Sequence, residues 1–328
     1  MAYQNQFLLR QSLSDNGSPQ THGSYCSSPD IISHSLVNDP VKTFTTNYNI
    51  DPNQRIDQDS MTNPVYTRIK SMQSVQGKVN GYIRLYRANF SLFLNTNQWS
   101  KNPLRTPKGS THVTVSTGKK DEISVGNDIF TLDGTKPNYC LIGIVNDSTV
   151  ETLPDNFKTH NDFVMWIHKN PAVSARNFSL MKSGNRNDFE GMYVITNPES
   201  ISRLGAVNVH AENLPDGTLF GLENKDLMLN KSTKFFAKDD RTHKVSDASD
   251  WPANYDGYIR VFAKLPTGAV WPSKARFTVT YYTNAILSEE MHIFGHMPED
   301  IICNPAVLST FQAPGKLVLI GECSTLFE

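Results

Sequence analysis

The 328-residue chain is short of the features that usually announce an activity. It has four cysteines, Cys26, Cys140, Cys303 and Cys323, far apart and with no Cys-x-x-Cys pair, which excludes a zinc ribbon and a dithiol redox motif. We read them as thiols, with Cys303 and Cys323 near enough in sequence to be neighbours in one domain. No apolar run approaches the roughly 20 residues needed to span a bilayer; the best, Leu141–Val145 and Leu317–Ile320, are strand-sized. The first ten residues hold only the apolar patch Phe7-Leu8-Leu9, whereas a secretory signal needs a basic start and roughly 7–15 apolar residues. The expected site of synthesis is the cytoplasm, with unconventional export or release as the route outward. Charged residues are only 19% of the chain, and 31 Lys+Arg against 32 Asp+Glu leave a net charge of −1. Such a balance supplies no long-range field toward phosphate or anionic lipid, so nucleic acid is excluded as the main partner. Gly-x-Ser-x-Gly, Walker and Gly-x-Gly-x-x-Gly sequences are also missing.

What is present is a two-residue beat. Val65–Ile69, Tyr82–Tyr86 and His112–Ser116 alternate apolar and polar positions as half-buried strands do. Tyr139–Val145 is apolar on both phases, which predicts a central strand covered on both faces. The second half repeats the style in Met192–Ile195, Ala206–Val209, Thr218–Phe220, Tyr258–Phe262, Phe277–Tyr281 and Leu317–Ile320. One helix is expected, capped by Asp162, with Phe163, Trp166 and Ile167 on one face and Asn170-Pro171 as its stop. The fold class predicted is all-β: two antiparallel β-sandwich domains, immunoglobulin-like or jelly-roll-like, preceded by a polar N-terminal arm. The arm covers residues 1–60, the first sandwich 61–182, a linker without apolar residues 183–188, and the second sandwich 189–328.

Asn80-Gly81-Tyr82-Ile83-Arg84-Leu85-Tyr86 and Asp256-Gly257-Tyr258-Ile259-Arg260-Val261-Phe262 share a pattern read here as a turn dipeptide followed by a strand. Duplication of one sandwich and chance reuse of a hairpin idiom both account for it. The order Ser28-Pro29-Asp30-Ile31-Ile32, Asn63–Ile69, Gly81–Tyr86 and Tyr139–Val145 resembles immunoglobulin-like modules of large bacterial secreted or surface proteins, over residues 28 to about 181. The resemblance implies a fold and carries no catalytic residue, because its motifs are core strands. The tryptophan and disulfide pattern of antibody domains is absent from the first half.

Asp239, Asp240, Asp247, Asp250 and Asp256 crowd a stretch read as loop-rich, where hard oxygen ligands can hold calcium. Their spacing matches no EF-hand loop, and Lys238, Arg241 and Lys244 lie among them, so a solvated connection is the plainer reading. Asp247, Asp250 and Asp256 are nonetheless the calcium candidates, and calcium is the only cofactor entertained. His292 and His296 stand four apart, but the glutamates Glu289 and Glu290 fall outside the pair and the segment alternates as a strand, so they are read as surface histidines. Five Asn-x-Ser triplets, at Asn16, Asn89, Asn146, Asn177 and Asn230, are discounted as glycosylation sites for want of a secretory signal. Trp99, Trp251 and Trp271 sit beside Asn, Pro or Ser in expected loops and are the candidate partner-binding anchors, against the alternative that they plug sandwich ends.

These readings favour a non-enzymatic structural or interaction protein, binding a protein partner or assembling as a homo-oligomer through β-sandwich loops and sheet edges. The polar arm is a candidate strand for exchange between copies, against the simpler reading that it wraps its own domain. The alternatives are a metal-assisted hydrolase using the acidic 239–256 stretch and a viral or phage structural protein.

Overall fold

The computed structural model describes residues 6–19, 25–53, 56–57, 63–73, 77–88, 95–132, 139–151, 153–157, 160–178, 180–181, 188–197, 199–272, 275–284, 295–296 and 317–326. The chain is all-β and antiparallel, and it divides into two compact units. The first holds residues 1–21, 25–56 and 60–178; the second holds 22–24, 57–59 and 179–328.

Up to residue 178 the elements are β1 (Phe7–Leu8), β2 (Ile31–Ser33), α1 (Pro40–Thr46), β3 (Ile56–Asp57), β4 (Asn63–Ser71), β5 (Val79–Ala88), α2 (Thr96–Trp99), β6 (Val113–Thr117), β7 (Ile123–Val125), β8 (Phe130–Leu132), β9 (Tyr139–Asn146), α3 (His160–Lys169) and β10 (Val173–Phe178). One sheet of this unit is built around β4, which pairs with β1, β2, β7 and β8. The other runs β10-β9-β5-β6, so Tyr139–Asn146 takes the central place its double apolar phase requires. The sheets pack face to face. A Cβ on Gly81 would stand 3.0 Å from the Phe7 ring, and one on Gly143 would stand 2.8 Å from Leu9 and 3.1 Å from Ile31. These two glycines are sockets for the N-terminal segment.

Helices cover the outer faces. Asp39 caps α1 by accepting the Lys42 amide, and Phe44 of α1 joins Ile32, Tyr66 and Val125 in a small core outside the β4 sheet. On the far side α3 turns Phe163 and Ile167 inward, where Phe163, Trp166 and Trp99 of α2 gather around Phe157. The helix begins at His160, three residues before the start that a cap at Asp162 implies. Asp162 lies in its first turn, where a carboxylate favours the positive helix end without being the cap.

The expected arm is therefore not an appendage in the described residues. Phe7, Leu8 and Leu9 are buried, β1 pairs with Ser71 and Lys70, and β2 pairs with Val65–Thr67. The strand offered for exchange is already paired within its own chain, because three consecutive apolar side chains gain more by entering the core than by staying in water.

The second unit holds β11 (Leu180–Met181), β12 (Asp188–Asn197), β13 (Arg203–Glu212), β14 (Leu219–Asn224), β15 (Leu229–Lys234), β16 (Lys244–Trp251), β17 (Tyr255–Lys264), β18 (Arg276–Asn284), β19 (Gly295–His296) and β20 (Leu317–Leu326). The strand orders are β15-β14-β17-β12-β11-β3 and β16-β13-β18-β20-β19. Inward positions at every second residue, among them Tyr193, Val207, Phe220, Val261, Phe277 and Val279, form one core. Of the expected 183–188 linker only Asp188 is described, and it opens β12. The dipeptides Asn80-Gly81 and Asp256-Gly257 are not turns; both lie inside strands, and the glycines admit the Phe7 and Tyr255 rings respectively.

Candidate functional site

The densest group of buried charge lies in the first unit. Arg68 projects from β4 and is wholly buried, as is Asp30. Its guanidinium uses all five N–H donors: Nε to Asp30 Oδ1 at 2.7 Å, one terminal nitrogen to the carbonyls of Phe44 and Asn47, the other to those of Pro29 and Ile50. The Phe44 and Asn47 carbonyls belong to the last turn and C-cap of α1, where backbone acceptors lack intrahelical partners. Arg68 thus closes a helix end and pins the chain on both sides of it.

Asp30 also receives three donors from Arg10: the backbone amide at 2.9 Å, Nε at 3.0 Å and a terminal nitrogen at 2.7 Å. The Arg10 guanidinium lies 3.4 Å from the centroid of Tyr48 and donates to the Tyr48 carbonyl. Burial opposes the charged form of Arg10, but the hydrogen bonds and charge of Asp30 outweigh it, and the guanidinium holds its proton more tightly than usual. Burial and the nearby Asp30 carboxylate push the Tyr48 phenol up.

A second pair flanks this group. Arg176 of β10 grips Asp51 through two hydrogen bonds, at 2.9 and 3.2 Å, and also donates to the Ser28 carbonyl. Burial alone would raise the Asp51 carboxyl; the Arg176 charge and hydrogen bonds, with those from Asn53, leave it below the ordinary carboxylate value. Asp15 behaves in the opposite sense. Burial raises it, and the amides of Gln11 and Gly17 recover only part of the shift. The Arg10–Asp30, Arg68–Asp30 and Arg176–Asp51 pairs tie distant stretches of backbone together, which is a fastening arrangement, whereas Asp15 bonds amides close to it in sequence.

The sequence candidates fare differently. Trp99 and Trp251 are completely buried, and Trp271 is half-buried against Phe189 and Phe277. The reading of exposed anchors is corrected for the first two: polar sequence neighbours report where the backbone runs, not where an indole goes. Trp251 fills space left by Gly205, where a Cβ would lie 2.2 Å from the ring. The acidic stretch is only partly loop: Asp239 and Asp240 sit in a single 3-10 turn, but Asp247 and Asp250 belong to β16 and Asp256 to β17 of the other sheet. Three residues apart on a strand, Asp247 and Asp250 face opposite ways. Among the described residues no group of three or more His, Cys, Asp or Glu is placed to hold a metal. Asp247 instead accepts the Asn230 amide of β15 at 3.0 Å and the Ala248 amide at 3.1 Å, joining the edge strands of the two sheets. His292 and Cys303 lie outside the described residues, as do the side chains of His296 and Cys323; Cys26 and Cys140 are buried thiols.

Several edge groups of the β10-β9-β5-β6 sheet are also covered. Ser28 donates its amide to the Ala175 carbonyl of β10. On β6 the Thr114 and Ser116 amides are received by the side chains of Asn127 and Ser124. Sequence reasoning missed Asp30, Arg10 and Arg68 because partners up to 38 residues apart leave no local pattern. Among the described residues no helix is long and apolar enough to cross a membrane.

No protein-family model matches the chain, and no curated protein matches it. Among solved structures, collagen adhesin from S. aureus aligns over 80% of this chain and 90% of its own, at 9% identity and a TM-score of 0.21. The B domain of a biofilm-associated protein aligns over 82% and 83%, at 11% identity and 0.22. A family 2 β-glucuronidase aligns over 85% of this chain and 28% of its own, at 10% and 0.21. Likeness of this size carries no argument about what the chain binds or does.

Proposed function

We propose that the chain is a non-catalytic structural or interaction protein that meets protein partners, copies of itself included, through exposed loops and sheet faces. The observation that carries this reading is the use of buried charge in the first unit: Asp30, Asp51, Arg10, Arg68 and Arg176 are spent on one another and on backbone carbonyls. A carboxylate held by two guanidinium groups is a poor base and a poor ligand. The partly covered edges of the β10-β9-β5-β6 sheet favour contact through loops and faces over strand addition there.

One end of the second unit supplies apolar contact area. The pairings Asn197 with Tyr255 and Glu223 with Arg260 bring the β12–β13 turn, the β14–β15 turn and the start of β17 to the same end. Ile201, Met228 and Tyr258 are exposed there. Met228 holds a left-handed backbone at φ 53°, a conformation costly for a bulky side chain. Asn224 fixes the turn, accepting the Leu227 amide at 2.7 Å and donating to the Tyr258 carbonyl at 2.7 Å.

Light scattering over a concentration series tests self-association. The wild type is expected to rise above 36.8 kDa, and Met228→Asn with Tyr258→Ser to shift that rise to about tenfold higher concentration. A mass fixed at 36.8 kDa throughout removes copies of the chain from the reading.

A further inference from the structure

The two strands that share the Gly-Tyr-Ile-Arg pattern treat their arginines differently. Arg260 of β17 lies between two carboxylates, Glu223 at 2.9 Å and Glu190 at 3.2 Å, on a partly solvated face. Arg84 of β5 is only 4% exposed, yet it has no carboxylate within ion-pair distance among the described residues. Its partners are neutral: Asn146 Oδ1 at 3.1 Å, the Ser148 carbonyl at 3.5 Å and the Thr149 carbonyl. These engage three of its five donors. The other deeply buried arginines, Arg10, Arg68 and Arg176, each grip an aspartate.

A buried cation without a counter-ion is expensive, and carbonyl dipoles offset only part of the cost. Among the described residues, the groups around Arg84 do not supply the missing charge. Asp147 and Glu151, in the segment that follows β9, are exposed and make no ion pair with it. Tyr82, two residues before Arg84 on the same strand face, meets the His112 ring edge-on at 5.4 Å. Burial and then the Arg84 charge hold His112 below its ordinary value, so the imidazole lies within reach of the guanidinium's field. The turn whose carbonyls meet the guanidinium lies at the surface. Thr149 and Val150 are exposed, and the turn is held locally by the Val150 amide on Ser148 Oγ at 3.0 Å.

We propose that Arg84 anchors an oxyanion site, in which a carboxylate or phosphate group replaces the Ser148 and Thr149 carbonyls on the guanidinium and His112 lies beside it. The planar fork of arginine presents paired donors to two oxygens of one anion. Displacing the exposed 147–150 turn opens the approach without disturbing the sheet.

The test uses the full chain, with inorganic phosphate and acetate as separate probes at low millimolar concentration against chloride of equal ionic strength. The expected result is a saturable rise in melting temperature, about 2–4 °C at roughly five times the dissociation constant, absent in Arg84→Gln. The anion that binds more tightly identifies the source, phosphate or carboxylate. In NMR titrations the His112 midpoint is expected to move up when the anion is present, because the Arg84 charge is then neutralised. Equal responses to all three anions, or an Arg84→Gln protein that responds as the wild type does, overturn the proposal. Should Arg84→Gln fail to fold, a wild-type His112 midpoint unchanged by either probe overturns it alone.

Discussion

Asp30 is the residue on which the N-terminal third of the first unit converges. It receives two guanidinium groups and one backbone amide, and its own carbonyl accepts the Arg68 amide at 3.1 Å. Replacing it by Asn keeps the shape and removes the charge, leaving Arg10 and Arg68 buried together without a counter-ion. Breaking a buried pair from one side costs about 3–5 kcal/mol. At about 2–4 °C per kcal/mol for a unit of this size, the melting temperature of Asp30→Asn should fall by about 6–20 °C. Calorimetry checks it, and a fall below 2 °C would mean the cluster is already hydrated. None of this was legible beforehand. An aspartate after Ser-Pro and an arginine inside a strand carry no local mark of their partners, since charge pairing is set by tertiary approach, and tertiary approach has no period.

At the scale of elements the sequence is far more informative, for an equally physical reason. Where a strand is long its pattern repeats often enough to be seen, as alternation in Phe277–Tyr281 with one face buried and as two apolar phases in Tyr139–Val145; Tyr82–Tyr86 alternates in sequence although Ile83 to Tyr86 are buried on both faces. Short or edge elements escape. β7 and β8 have three residues each, too few for a period, and β15 reads Leu-Asn-Lys-Ser-Thr-Lys because an edge strand favours lysine over apolar side chains. Glycine misleads in a different way. Asn80-Gly81 looks like a hairpin turn, yet Gly81 sits within a strand because Phe7 needs the space a Cβ would take. The same logic governs Gly143, against Leu9, Ile31 and Leu85. Gly143→Ala should cost about 1–3 kcal/mol by overpacking in urea unfolding. Combined with Leu9→Ala it should cost less than the sum of the single changes, because the smaller side chain vacates the place the new methyl needs. Strict additivity would show that Leu9 does not occupy the Gly143 socket.

For the whole molecule the decisive matter is what residues 6–17 do for the unit they enter. An exchanging arm could be deleted with its host domain left intact. A segment that completes a core could not. Burying Phe7, Leu8 and Leu9 contributes about 1.5–3 kcal/mol each, taken as an upper estimate against a compact unfolded chain. That sum is comparable with the about 5–15 kcal/mol that holds an ordinary domain together. Arg10 adds its share of the Asp30 cluster, and Gln11 bonds His168 of α3 at 2.7 Å. Removing residues 1–17 should therefore unfold the first unit, not merely dissociate an assembly. Hydrogen exchange read by mass spectrometry distinguishes the outcomes peptide by peptide. In the truncated chain β5 and β9 should lose protection, while β13 and β17, whose core is supplied by residues after 188, should keep theirs. Retained protection in β9 would return the N-terminal segment to the status of an appendage, because a core strand lying over an emptied socket cannot stay closed to solvent exchange.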